Sequence, residues 1–258
     1  MKIIVCLKQV PDTETKIKLL PDQSNVDVTG VKWVVNPYDE FAIEEAVKLQ
    51  AANPGSQTLA ITLGPKQRAQ EALRTALAMG IDEAAVIHSE ISLDAYSTAK
   101  ALSQLIRQEG GADLILTGKL AIDDNASSVP QMVAAFLEIP HCTVVSKLTM
   151  SGGAVTAERD IEGGSKEVIE MPTPCLIAAN KGLNTPRYAS LPGIMKAKKK
   201  VIKEVDLATL GVTATDTKTK ISKVILPVEK PPVKMIAGDV QTQASQLVQL
   251  LRDEAKAL

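Results

Sequence analysis

"DEFAIEEAVKLQAANPGSQTLAITLG", residues Asp39 to Gly64, decides the fold class. Ala42, Ile43, Ala46, Val47 and Leu49 recur at helical spacing, and Glu44 stands four positions before Lys48, the order that supports a helix surface. Pro54-Gly55 ends the pattern, because proline cannot continue a helix and glycine accepts the turn that follows. Thr58 to Gly64 is then apolar with little alternation, as in a strand covered on both faces. A helix feeding a doubly covered strand is the repeating unit of a parallel sheet.

The same unit recurs outward from this stretch. Ile3 to Leu7 reads as a first buried strand. "KQRAQEALRTALAMG" sets Ala69, Ala72, Leu73, Ala76 and Leu77 on one helix face and ends with Gly80 as a C-terminal cap. Ala84 to Ser89 is a strand, about Asp94 to Gln108 a helix with Leu102, Leu105 and Ile106 inward, and Asp113 to Gly118 a strand. The expected class is α/β, a mostly parallel, Rossmann-like sheet with helices on both faces. After Pro140, "AVTAERDIEGGSKEVIEM" forms two alternating strands around Gly163-Gly164, a small antiparallel hairpin, and Pro174 to Asn180 is one more buried strand. From about Lys203 the periodicity is lost to a polar, proline-rich stretch, and "QASQLVQLLRDEAKAL" ends the chain as a helix with Leu247, Leu250 and Leu251 on one side. The expected organisation is an α/β domain over 1–202 and a C-terminal arm and helix over 203–258. With little core of its own, the arm is expected to dock on another subunit.

Lys+Arg 29 against Asp+Glu 30 leaves a net charge of -1, so nothing global suggests a nucleic-acid partner. Ile3 to Leu7 is too short for a signal sequence, and no apolar run approaches a membrane span. Cys6, Cys142 and Cys175 lack the spacing of a zinc site or disulfide framework, and a reducing, cytoplasmic location is expected. His88 and His141 stand outside any metal or triad pattern, no nucleophile is paired with a base, and independent catalysis is not expected.

Ligands of open parallel sheets bind where the carboxyl ends of the strands meet the following loops. Three such loops have suitable composition: Val35 to Glu40, Thr62 to Pro65, and "TGKLAIDDNASSVPQ", Thr117 to Gln131. The last leads into the helix "QMVAAFLE", whose free N–H groups suit a phosphate, with small residues Ala126, Ser127 and Ser128 allowing close approach. Asp123, Asp124 or Ser127 acting only as a helix cap is the alternative on these residues. A separate question is "ASLPGIMKAKKK", Ala189 to Lys200, where Leu191, Pro192, Ile194 and Met195 stand before Lys196, Lys198, Lys199 and Lys200. Either this is a partner handle or its apolar residues turn inward and its lysines are solvated.

"CLKQVPDT", "VNPYDEFAIEEAVKL", "TALAMGID", "GKLAIDD" and "NTPRYASLPGIMKAKKK", in this order and across essentially the whole chain, resemble the beta subunit of electron transfer flavoprotein. The resemblance implies a heterodimer with an alpha subunit that takes electrons from flavin dehydrogenases, such as acyl-CoA dehydrogenases of fatty acid β-oxidation, and delivers them to a membrane quinone reductase or other acceptor. FAD would be held mainly by the alpha subunit, while the beta subunit buries AMP. Carried over by position, the AMP contacts are Cys6, Asn36, Pro37, Tyr38, Asp39, Leu63, Gly118, Lys119, Ala121, Asp123, Asp124, Asn125, Ala126, Ser127, Ser128 and Val129, with Tyr38 near the FAD ring. Arg187, Tyr188, Leu191, Pro192, Ile194, Met195 and Lys196 match the family's docking loop, in which Leu191 would enter an apolar pocket of the dehydrogenase and the lysines would steer acidic partners. Asn125-Ala126-Ser127-Ser128 departs from the family's usual Asn-Gln-Thr-Gly. Electron-bifurcating members, which bind a second FAD in the beta subunit and oxidise NADH, carry glycines in this loop where Asp124 stands and beside Val129. Their absence favours AMP.

Overall fold

The computed structural model describes residues 1–230 and 232–258; Pro231, within the expected proline-rich stretch, lies outside the described residues. The chain divides into two units, one of Met1–Lys18 with Asp27–Ser222, the other of Leu19–Val26 with Lys223–Leu258.

The first unit is built on one nine-stranded sheet. Its elements in chain order are β1 (Lys2–Cys6), β2 (Gln9–Pro11), β3 (Trp33–Val35), α1 (Pro37–Ala52), β4 (Gln57–Gly64), α2 (Lys66–Met79), β5 (Glu83–His88), α3 (Ala95–Gln108), β6 (Leu114–Gly118), α4 (Val129–Leu137), β7 (His141–Ser151), β8 (Ala154–Asp160), β9 (Lys166–Pro172), β10 (Cys175–Ala179), α5 (Leu191–Lys199) and β11 (Ile202–Asp206). The order across the sheet is β11-β5-β4-β1-β6-β10-β7-β8-β9, parallel from β11 through β7 and antiparallel across β7, β8 and β9, while β2 and β3 form a separate antiparallel ribbon. Both the expected α/β class and the expected hairpin are present.

Alternation along β1 divides the core between the two faces of the sheet. Ile3 and Val5 pack with Ala42, Ile43 and Ala46 of α1 and with Ala69, Leu73 and Ala76 of α2. Ile4 and Cys6 pack with Ala99, Leu102, Leu105 and Ile106 of α3 and with Val133 and Ala134 of α4. The chain moves outward from β1 to β4 to β5 under α1 and α2, then returns beneath α3 to place β6 on β1's other side. That reversal makes the carboxyl ends of β1 and β6 the topological switch point.

Three elements differ from the sequence expectation. The segment expected to begin the arm at residue 203 forms β11, which pairs with β5 in register from Ile202 against Ala84 to Asp206 against His88. Within Ala189 to Lys200, residues Leu191–Lys199 form a helix that no periodic pattern in the sequence announced: Ser190 caps α5 by accepting from the Gly193 N–H at 3.1 Å, and Pro192 occupies the first turn, where its missing N–H costs nothing. The eleven-residue strand β7 had no apolar run to announce it, since His141, Thr143, Ser146, Lys147 and Thr149 are interspersed along it.

In the second unit, Leu19 and Val26 form an antiparallel bridge, and the Val224 N–H donates to the Gln23 carbonyl at 2.9 Å. The terminal helix α6 (Val240–Asp253) is capped by Asp239, which accepts from Thr242 N–H at 2.8 Å. Among the described residues no helix is long and apolar enough to cross a membrane.

Candidate functional site

Two buried polar residues, Asn36 at the N-cap of α1 and Asp39 in its first turn, assemble the switch point. Asn36 is fully buried, and both ends of its amide are engaged: Nδ2 donates to the Leu120 carbonyl at 2.8 Å and Oδ1 accepts from the Ile122 N–H at 3.2 Å. Its backbone N–H donates to the Lys8 carbonyl at 2.9 Å. Asp39, 5% exposed, accepts from the Lys8 N–H at 2.7 Å through Oδ2 and from the Gly118 N–H at 2.9 Å through Oδ1. One carboxylate therefore joins the ends of β1 and β6. Burial pushes the Asp39 carboxyl up to about 7, against the opposing pull of its N–H donors. Burial and the neighbouring Asp39 both push the Cys6 thiol far above its usual range, so it is an unreactive group lining the base of the site.

Gly118 is required by that closeness. A Cβ built there would lie 2.4 Å from Asp39 Oδ1 and 2.7 Å from Tyr38 Cβ, distances no packed carbon tolerates. Beyond it the loop runs from Lys119, whose N–H donates to the Ala179 carbonyl at 2.9 Å, to Ser128. Asn125 and Ser127 both hold left-handed backbone, with φ of 51° and 48°. Ser127 Oγ fixes this shape by donating to the Lys119 carbonyl at 3.0 Å, and the Ala126 N–H donates to Asp124 at 3.0 Å. Left-handed residues among right-handed or extended neighbours turn successive N–H groups toward one side, a concavity suited to anions.

The helix-cap alternative for Asp123, Asp124 and Ser127 is not realised. Ser128 is the cap residue of α4, and among the described residues no side chain caps the first-turn N–H groups. Asp123 and Asp124 instead meet Lys8, whose Nζ lies 2.8 Å from Asp123 Oδ1 and 3.0 Å from Asp124 Oδ2. Partial burial lowers the Lys8 ammonium, but the two carboxylates outweigh it and the net displacement is upward. Lys8, two residues beyond β1, stands within the "CLKQVPDT" stretch, but nothing in that stretch pointed to a side chain reaching the loop at Asp123 and Asp124. Lys119 places its ammonium over the Tyr38 ring, 4.9 Å from the centroid.

Of the residues carried over as AMP contacts, Cys6, Asn36, Pro37, Tyr38, Asp39, Leu63, Gly118 and the loop through Val129 converge at the ends of β1, β4 and β6 and the first turns of α1 and α4. Asn36 and Asp39 use their side chains to hold backbone, so their role there is to shape the loop. The residues carried over as docking contacts form a second group, Arg187 and Tyr188 in the segment before α5 and the others on α5. Tyr188 is 99% exposed, Leu191 76% and Met195 54%. Arg187 faces the other way: its Nε and Nη2 donate to the buried Glu44 carboxylate at 2.7 and 2.9 Å, and its backbone N–H adds a third bond at 3.2 Å. Beside it, Asn184 Nδ2 donates to Glu45 at 2.8 Å. At the far end Lys200 Nζ donates to the carbonyls of Ile81 and Asp82 at 2.9 and 2.7 Å, so it anchors the chain where a free steering charge was expected. Between them Gly193 touches α2, and a Cβ there would lie 2.5 Å from the Ala78 carbonyl oxygen.

A mostly parallel sheet with helices on both faces and a glycine-tight cleft at its switch point defines a doubly wound α/β protein, with ligands expected at the joined ends of β1 and β6. Comparison with known proteins narrows this class. A family profile described as the electron transfer flavoprotein domain matches residues 24–210. The chain is 41% identical to electron transfer flavoprotein subunit beta of Bacillus subtilis, with all of both chains aligned. It is 40% identical to the subunit of the same name from Sus scrofa over 98% of this chain and 97% of that one, and 39% identical to that of Homo sapiens over 97% and 96%. The chain belongs to the electron transfer flavoprotein family and aligns along its length with the family's beta subunits.

Proposed function

We propose that the chain is the beta subunit of a heterodimeric electron carrier, paired with an alpha subunit that holds most of the FAD, and that its own switch-point cleft buries AMP. The observation that carries the nucleotide assignment is the 118–128 loop. Its two left-handed residues, small side chains and uncapped passage into α4 fit a phosphate, and its glycine lets the backbone approach closely. Asp124 supports AMP over a second FAD, because its carboxylate is fixed within the loop by Lys8 and the Ala126 N–H where bifurcating relatives carry glycine.

FAD supplies the electron chemistry when bound; what this chain contributes is positioning. Tyr38 and Lys119 stand at the edge of the cleft, with an aromatic face available toward a flavin held by the alpha subunit. Leu191, Ile194, Met195 and Tyr188 offer an apolar and aromatic anchor surface for flavin dehydrogenases, acyl-CoA dehydrogenases among them, and Lys196, Lys198 and Lys199 add electrostatic steering. A quinone reductase or another acceptor would receive the electrons, and the chain itself would catalyse no bond-making step, working in the cytoplasm.

The test is to co-purify the chain with its alpha partner, denature the complex and quantify the released nucleotides. One AMP and one FAD per heterodimer is the expected result. Two FAD and no AMP would overturn the AMP assignment and make NADH oxidation the next measurement.

A further inference from the structure

The Lys8 ammonium belongs neither to the fold's core nor to the residues carried over from the family, yet it meets the nucleotide loop. It extends from the second residue after β1 across the switch point to the turn of the nucleotide loop, bonding Asp123 and Asp124 together. Without it, a loop whose backbone is shaped to receive an anion would present two carboxylates and one lysine, Lys119, a net negative charge. Lys8 brings that cluster to neutrality and also fixes the turn that aims the Asn125–Ser128 N–H groups. The lysine is half-exposed, so it is reachable by solvent ions, and its backbone N–H and carbonyl are held by Asp39 and Asn36. The side chain is therefore free of any duty in strand pairing.

We propose that Lys8 is a positioning residue for the nucleotide phosphate, acting by neutralising Asp123 and Asp124. The inference rests on the AMP assignment above. It differs from a purely mechanical latch in one respect: removing the carboxylates should compensate for removing the lysine.

The experiment uses the alpha–beta complex, dialysed to equilibrium against fixed AMP at low and moderate salt, with bound AMP measured by chromatography. Lys8→Met is expected to lower AMP affinity at least tenfold, with the flavin absorption spectrum unchanged. Lys8→Arg should retain most of the binding. Lys8→Met combined with Asp123→Asn and Asp124→Asn should recover most of what Lys8→Met loses. Raising salt should weaken the wild type less than it narrows the gap between wild type and Lys8→Met, since screening relieves exposed carboxylates. Unchanged affinity in Lys8→Met overturns the role, and failure of the triple variant to recover overturns neutralisation as its basis. A wild-type complex holding no AMP overturns the nucleotide assignment and this inference with it, a result distinct from the other two.

Discussion

Gly118→Ala tests whether the cleft is built as described. The added methyl would sit 2.4 Å from Asp39 Oδ1, 2.7 Å from Tyr38 Cβ and 2.8 Å from the Tyr38 carbonyl carbon. Ordinary contact begins near 3.4 Å, so the first turn of α1 must retreat from the end of β6 by about 1 Å. Two of the three crowding atoms belong to the Tyr38 main chain or Cβ, which no rotamer change can move aside. A retreat of that size stretches the Gly118 N–H bond to Asp39 from 2.9 Å to near 4 Å and pulls Asn36 from the Leu120 carbonyl and the Ile122 N–H. Overpacking costs ~1–3 kcal/mol, and each buried polar group left unpaired adds ~1 kcal/mol or more. The expected loss is about 3 kcal/mol, read as a shift in the midpoint of urea unfolding at constant slope. AMP occupancy of the complex should fall in the same variant, because the loop is held through Asn36. A variant of wild-type stability and occupancy would refute the close approach of β6 and α1 and the reasoning built on it.

Three further outcomes follow from the same geometry. Arg187→Ala leaves the buried Glu44 carboxylate with one backbone donor, and a loss of ~2–3 kcal/mol is expected, discounted because the guanidinium is itself half-exposed; in a double-mutant cycle, adding Glu44→Gln should recover part of it, and strict additivity would sink the pairing. Asp39 is held at about 7 against an ordinary 3.8, so its contribution to stability is fully present below pH 4 and is lost as pH rises through 7; compared with Asp39→Asn, the wild type should lose up to ~4 kcal/mol across that window, and a pH-independent difference between the two would contradict it. Leu191→Ala should leave the fold and flavin spectrum intact while slowing reduction by the dehydrogenase partner at least tenfold at low concentrations, and an equal rate would remove the docking assignment.

What the sequence made legible follows from how each element is buried. β1, β4, β5, β6 and β10 are covered on both faces, so their apolar runs stand out and fix both class and strand count at the sheet's centre. β7 and β11 lie toward the two sides of the sheet, where one face of each is wetter; the Lys203-Glu204 pair in the middle of a five-residue strand looks like solvent-facing loop. α5 was hidden by Pro192-Gly193, a pair that signals a turn unless the cap at Ser190 and the contact of Gly193 with α2 are known. The site divides similarly. Its loop was recognisable from small residues between a strand end and a helix, whereas Lys8 and the Arg187–Glu44 pair depend on side chains 115 and 143 positions apart, which no local pattern encodes.

The anchoring of α5 bears on how long any partner stays. The segment is fastened to α1 at Arg187, rests on α2 at Gly193 and is fixed at Lys200 before the chain enters β11. Its protruding Leu191 and Met195 therefore rise from a platform that has already given up most of its freedom to fold or sway. A visitor meeting that platform loses little time to loop ordering on arrival and releases little disorder on departure. For the docking role proposed above, Leu191 and Met195 would be presented, already ordered, to a partner, so the cost of arranging the segment would have been met by the fold itself.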